Sequence, residues 1–137
     1  MWQNDPDTVR RLLDAETWAV VGLTGDPSRT AYSIAGWLQQ HGKRIVPVNP
    51  RGDTVLGQPG YRSVADIDFG IDVVDVFRRS EFAGPHADEA IAAGAAVWLQ
   101  LGVVDEAAAA RVRAAGLDMV MDTCPKIEAP RLGWPRN

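Results

Sequence analysis

The chain has 137 residues, 46% of them hydrophobic and 23% charged, the size and balance of a single globular domain spanning residues 1–137. A formal net charge of −4 argues against a broad nucleic-acid-binding face, which needs many cations to neutralise phosphates, and no apolar run approaches the roughly 18 residues of a membrane span. The single cysteine, Cys124, excludes an internal disulfide and a multi-cysteine metal site, and together with the polar start MWQNDPDTVRRLLDAE it points to a soluble, unexported, cytoplasmic protein.

A first helix is expected from about Asp5-Pro6, with Val9, Leu12 and Leu13 turned inward, because proline suits the first helical position. Residues 18–23 then read as a buried strand. A helix over 32–41 comes next, where Ala31, Ile34, Ala35 and Leu38 recur at one-face spacing before a stop at Gly42. Residues 44–49 form a second strand, which Pro47 directs toward a sheet edge. Residues 51–68 are rich in glycine and turn formers, with one short helical turn at 63–66.

The third strand covers 73–77. A helix over 85–93 puts Ala87, Ala90 and Ile91 on one face and ends at Gly94. The fourth strand, 96–101, leads to a helix over 105–115 with Ala108, Val112 and Ala115 inward and a stop at Gly116. The fifth strand covers 117–121. The runs VVDVF and VWLQL lack strict alternation, as parallel strands covered on both faces do. Strands alternating with helices predict a Rossmann-like, doubly wound, five-stranded parallel sheet of order 3-2-1-4-5, with helices on both faces.

In such sheets the ligand lies beyond the carboxyl ends of the strands, so the segments after each strand are the candidates. After the first comes Gly22-Leu23-Thr24-Gly25-Asp26-Pro27-Ser28-Arg29-Thr30, where glycines let a phosphate approach the backbone and a helix start offers free N–H groups. An ordinary glycine-containing turn explains these residues equally well. The spacing is not G-x-G-x-x-G, and the second strand ends in Asn49-Pro50-Arg51, where a dinucleotide fold presents an acid to the ribose. Both departures count against NAD. The third strand runs into Phe77-Arg78-Arg79-Ser80, whose paired guanidinium groups suit phosphate but also suit surface ion pairs. Gln100-Leu101-Gly102 closes the fourth.

Catalytic signals are sparse. His41 falls at a helix end, His86 in the first turn of another, and neither has a nucleophile partner in sequence. Asp75 sits inside the third strand, not at its carboxyl end, which argues against a phospho-acceptor. The five tryptophans read as packing anchors. Cys124 reads first as a packed strand-end residue, with thiol exchange as the alternative.

The strings Val20-Val21-Gly22-Leu23, Pro47-Val48-Asn49-Pro50, VDVFRRSE, Trp98-Leu99-Gln100-Leu101-Gly102 and MDTCPKIE resemble those of the single-domain CoA-binding proteins. These are similar to the N-terminal, CoA-binding domain of the succinyl-CoA synthetase α subunit. The resemblance covers residues 17–132. It implies that Thr24, Gly25 and Arg29 hold phosphates, and that Asn49-Pro50-Arg51, Phe77-Arg78-Arg79 and Gln100-Leu101 line the adenine, ribose and pantetheine path of coenzyme A or an acyl-CoA. The synthetase reaction uses a phosphorylated histidine from a following domain, so ligase activity does not carry over. The expected role is non-catalytic binding as carrier, sensor or partner module, with a homodimer or an acyl-CoA enzyme as the open choice of partner. The rival readings are an NAD(P)-binding oxidoreductase or redox sensor, and an interaction subunit with a vestigial nucleotide site.

Overall fold

The computed structural model describes residues 2–135; Met1, Arg136 and Asn137, at the ends of the expected 1–137 domain, lie outside the described residues. The elements run α1 (Pro6–Leu13), β1 (Thr17–Val21), α2 (Thr30–Gln40), β2 (Arg44–Val48), a 3-10 turn (Val64–Asp66), β3 (Val73–Val76), α3 (Ser80–Ala92), β4 (Ala96–Leu99), α4 (Glu106–Ala114), β5 (Met119–Val120) and α5 (Pro125–Arg131). The five strands form one parallel sheet in the order β2-β1-β3-β4-β5, a Rossmann-like α/β fold. No helix among the described residues is long and apolar enough to cross a membrane.

The order differs from the expected 3-2-1-4-5, because β3 pairs with the inner side of β1 instead of extending the sheet beyond β2. Pro47 supplies the physical reason. Its carbonyl accepts from Tyr61 N–H on the outer side of β2. Backbone groups of one residue in a parallel strand point to the same side, so the missing N–H also faces outward and the β1–β2 ladder stays intact. The outer edge can neither donate there nor receive a full strand, and Tyr61 closes it with an isolated bridge to Val48. The edge position expected from Pro47 is the one observed, and it is incompatible with β2 being flanked by β1 and β3.

Burial on both faces explains the unbroken apolar runs. One face carries α3 and α4, which present small residues, Ala83, Ala87, Ala90, Ala108 and Ala109, to Val74, Val76, Val97 and Leu99. The other carries α1, α2 and α5 over Trp18, Val20, Val73 and Trp98. The two indoles meet with ring centroids 5.7 Å apart, and Trp98 Nε1 donates to the Thr123 carbonyl at 2.9 Å.

Three local expectations are corrected. The third helix begins at Ser80, so Pro85 lies inside it and His86 falls in its second turn. Proline normally marks the first helical turn, and here it hides the true start; lacking an N–H, it simply leaves the Glu81 carbonyl without an intrahelical donor. In α4 the inward residues are Ala108, Ala109 and Val112, while Ala115 is exposed beyond the helix end. Helix α5 is additional to the expected elements.

Candidate functional site

Between β1 and β3 the chain direction across the sheet reverses, since β2 and β3 lie on opposite sides of β1. Such a switch point opens a crevice at the carboxyl ends of the strands. A cleft of about 650 Å³ lies there, within the range of small-molecule sites. Its lining includes Gly22, Arg29, Phe77, Arg78, Arg79, Gln100, Leu101 and Gly102, and also Ser28, Thr30, Ala31, Val103, Cys124 and Ile127.

The floor depends on Gly22. Its φ is +95°, and a Cβ there would stand 3.0 Å from the Phe77 carbonyl oxygen, so only glycine lets the loops after β1 and β3 lie against each other. Asp26 then ties the β1–α2 loop into a turn by accepting from Ser28 N–H at 3.0 Å and Ser28 Oγ at 2.7 Å. Those two donors, with a smaller contribution from Arg29, hold its carboxyl below the ordinary range. The loop therefore delivers Arg29 and the start of α2 to the cleft.

The helix starts fall into two groups. Asp5 caps α1 by accepting from Thr8 N–H, and Asp105 caps α4 by accepting from Ala108 N–H at 2.9 Å. In contrast α2, α3 and α5 begin at Arg29, Arg79 and Cys124 with no side-chain cap, and those three residues all line the cleft. The first residues of α2, Thr30 and Ala31, at the positive end of its dipole, line the same space as the guanidinium-bearing Arg29, Arg78 and Arg79. Arg79 lies 3.3 Å from Glu81 in an exposed pair. Arg78 has no carboxylate partner among the described residues and stacks on Phe82, its guanidinium carbon 4.9 Å from the ring centroid. This arrangement suits a multiply charged anion.

Gln100 adds a different chemistry. It lines the cleft, is 5% exposed, and its Oε1 has no hydrogen-bond donor among the described residues. A buried acceptor left unpaired is costly, so a ligand N–H fits it. Behind it, Asp75 is fully buried in β3 opposite Val20 and Trp98, with both oxygens unpartnered; burial pushes its carboxyl well above the usual range, toward the neutral form.

The remaining expected residues sit elsewhere. Leu23 is wholly buried in the core. Thr24 and Gly25 lie in the β1–α2 loop, and Pro50 and Arg51 in the loop after β2, outside the cleft lining. Asn49 is buried, and its side chain binds backbone only: Nδ2 donates to the carbonyls of Leu23 at 3.0 Å and Asp53 at 3.2 Å, while Oδ1 accepts from Asp53 N–H at 2.8 Å. It clamps two loops together. His41 closes α2, with Nδ1 2.8 Å from the Trp37 carbonyl, and His86 pairs with Glu89 at 3.1 Å; neither reaches the cleft. No cluster of metal-ligating side chains occurs among the described residues.

A family model described as a CoA binding domain matches residues 16–130. The chain belongs to this CoA-binding domain family. A protein of Bacillus subtilis, the uncharacterized protein YneT, is 41% identical over 110 residues, which are 80% of this chain and 82% of that protein. A solved structure described as a hypothetical protein from Pyrococcus horikoshii OT3 superposes with a TM-score of 0.87 at 32% identity, covering 96% of this chain and 97% of that one. The dinucleotide-forming acetyl-coenzyme A synthetase 1 of Candidatus Korarchaeum cryptofilum shares the fold, with a TM-score of 0.70 at 24% identity; the match covers 85% of this chain and 27% of the synthetase. The fold is thus found both in short chains and within the much longer synthetase chain.

Proposed function

We propose that the protein binds coenzyme A or an acyl-CoA reversibly in the cleft at the β1–β3 switch point, as a carrier, sensor or partner module for acyl-CoA chemistry. The observation that carries this reading is the convergence of the uncapped starts of α2 and α3 with Arg29, Arg78 and Arg79 on one cleft. Phosphates would be met by Arg29, Arg78, Arg79 and the Gly22 loop through charge-assisted hydrogen bonds. The pantetheine arm, which carries amides, would cross Gln100, Leu101 and Gly102 above Phe77. Thr24, Gly25, Pro50 and Arg51 flank the β1–β2 side and are proposed for the adenosine end, with Asn49 and Leu23 shaping the loops behind them. A second copy of the chain or an acyl-CoA enzyme is the partner this role calls for.

Calorimetric titration with CoA, NAD and NADP tests the reading. Asn49 commits its amide to backbone groups, and no acid closes β2 to fix a ribose, so CoA is expected to bind more tightly than either dinucleotide. NAD binding equal to or tighter than CoA would overturn the proposal.

A further inference from the structure

The large apolar side chains that stand exposed among the described residues are Phe82, Leu101, Val104 and Ile127. They are not scattered. Each lies on a segment that comes after β3, β4 or β5 at the carboxyl end of the sheet. Phe82 is engaged beneath the guanidinium groups of Arg78 and Arg79, at 4.9 and 5.3 Å. Leu101, Val104 and Ile127, which are 59%, 43% and 46% exposed, have no such covering. Leu101 and Ile127 line the cleft, and Val104 is three residues beyond Leu101 in the same loop.

The sheet order turns this into a direction. From β1 through β3 to β4, the strand-end residues change from Arg29, to Arg78 and Arg79, to Gln100; the apolar rim begins beside Gln100, at Leu101 and Val104 after β4, and continues to Ile127 after β5. Three inter-strand spacings separate the ends of this series, about 14 Å. The sequence of chemistries is anion-binding, amide-binding, apolar. A CoA thioester has the same order along its length: phosphates, an arm with amides, sulfur, acyl chain. Free CoA ends at the sulfur and leaves the rim in water.

We infer that the physiological ligand is a CoA thioester bearing an acyl chain of several methylenes, which lies on Leu101, Val104 and Ile127. This rests on the CoA-binding reading and names its ligand class. The rim is unexplained by that reading alone, since exposed apolar groups grouped at a site mark a surface that is covered in use.

Titration of the full chain with CoA, acetyl-CoA and octanoyl-CoA tests the inference. Octanoyl-CoA is expected to bind about ten- to hundredfold more tightly than CoA, because each methylene moved out of water adds favourable free energy while ordering the chain subtracts some of it; acetyl-CoA should resemble CoA. In the double variant Val104→Ser/Ile127→Ser the octanoyl-to-CoA affinity ratio is expected to fall toward one. Equal affinities for CoA and octanoyl-CoA in the unmodified chain overturn the inference and leave the CoA reading standing, whereas no binding of either overturns both. Sedimentation equilibrium on the same samples covers the other occupant: a dimer that the double variant converts to monomer, together with equal affinities, makes the rim a contact between two copies and refutes the acyl assignment.

Discussion

The two faces of the sheet are built from different materials. On the α3 and α4 side, alanines and valines pack against valines, and no buried polar side chain there lacks a partner among the described residues. On the α1, α2 and α5 side, two tryptophans and a buried acid lie in the core and Cys124 lines the cleft. Strand alternation puts Asp75 and Gln100, which hold the unpartnered buried oxygens, on this second side. The contrast teaches that one face is a close-packed scaffold that brings helices near the sheet with small residues, while the unpartnered polar groups lie on the other, Gln100 at the cleft and Asp75 buried behind it.

The largest expected effect lies on the second face. Trp98→Ala removes a wholly buried indole and leaves the Thr123 carbonyl without its donor, so it should cost about 3–5 kcal/mol in urea unfolding. Because Trp98 lies beneath Gln100, any folded remainder should also bind CoA more weakly. On the scaffold face, Ala87→Leu forces extra volume into a fully buried site and should cost about 1–3 kcal/mol, with CoA affinity of the folded fraction unchanged. A loss of affinity there, read by titration at low temperature, would break the distinction between the faces.

Asp75 sharpens it through pH. Burial raises its folded-state pKa, so at pH values above the ordinary carboxylate range the unfolded chain has released a proton that the folded chain keeps. Its contribution to stability is complete below the unfolded pKa and is lost as pH rises toward the folded one, by about 1.4 kcal/mol per pH unit. Asp75→Asn removes this slope and should be the more stable protein at neutral pH. Urea titrations of both proteins from acid to neutral pH should diverge; parallel curves would mean that Asp75 is ionised when folded. The smallest effect concerns the mouth of the cleft. Arg78→Ala and Arg79→Ala should each weaken CoA binding about tenfold while leaving the ligand-free melting temperature unchanged, as half-exposed and exposed cations contribute little to folding. Of the two, Arg78→Ala should weaken binding more, because Arg79 already has Glu81 beside it.

The strands and α2 were legible because their signals are local. Apolar runs and a one-face repeat at Ala31, Ile34, Ala35 and Leu38 arise from backbone periodicity alone. The strand order was not, although Pro47 held part of the answer, because pairing is decided between segments far apart in the chain. Prolines obscured two helices: Pro85 masked the start of α3, and α5 has only seven residues with Pro125 at its start and Pro130 within it. Pro125 was itself a readable sign of a helix start, and without α5 Ile127 could not be placed at the cleft. The arginine pair was legible from its place directly after β3, at the carboxyl end where this fold binds ligands. The work of Asn49 was not, since its partner Leu23 lies 26 residues earlier.

Asn49 also limits how this fold could be adapted to a dinucleotide. Its amide donates to two carbonyls and accepts one backbone N–H, a combination that only a side chain with both an NH2 and an oxygen supplies. An aspartate at that position, the one-residue step toward a dinucleotide's ribose contact, would turn carboxylate lone pairs toward the oxygens of Leu23 and Asp53. The loops after β1 and β2 would then have to separate or be rebuilt together. A conversion that looks like a single substitution on paper is, for this protein, a coordinated change of two loops.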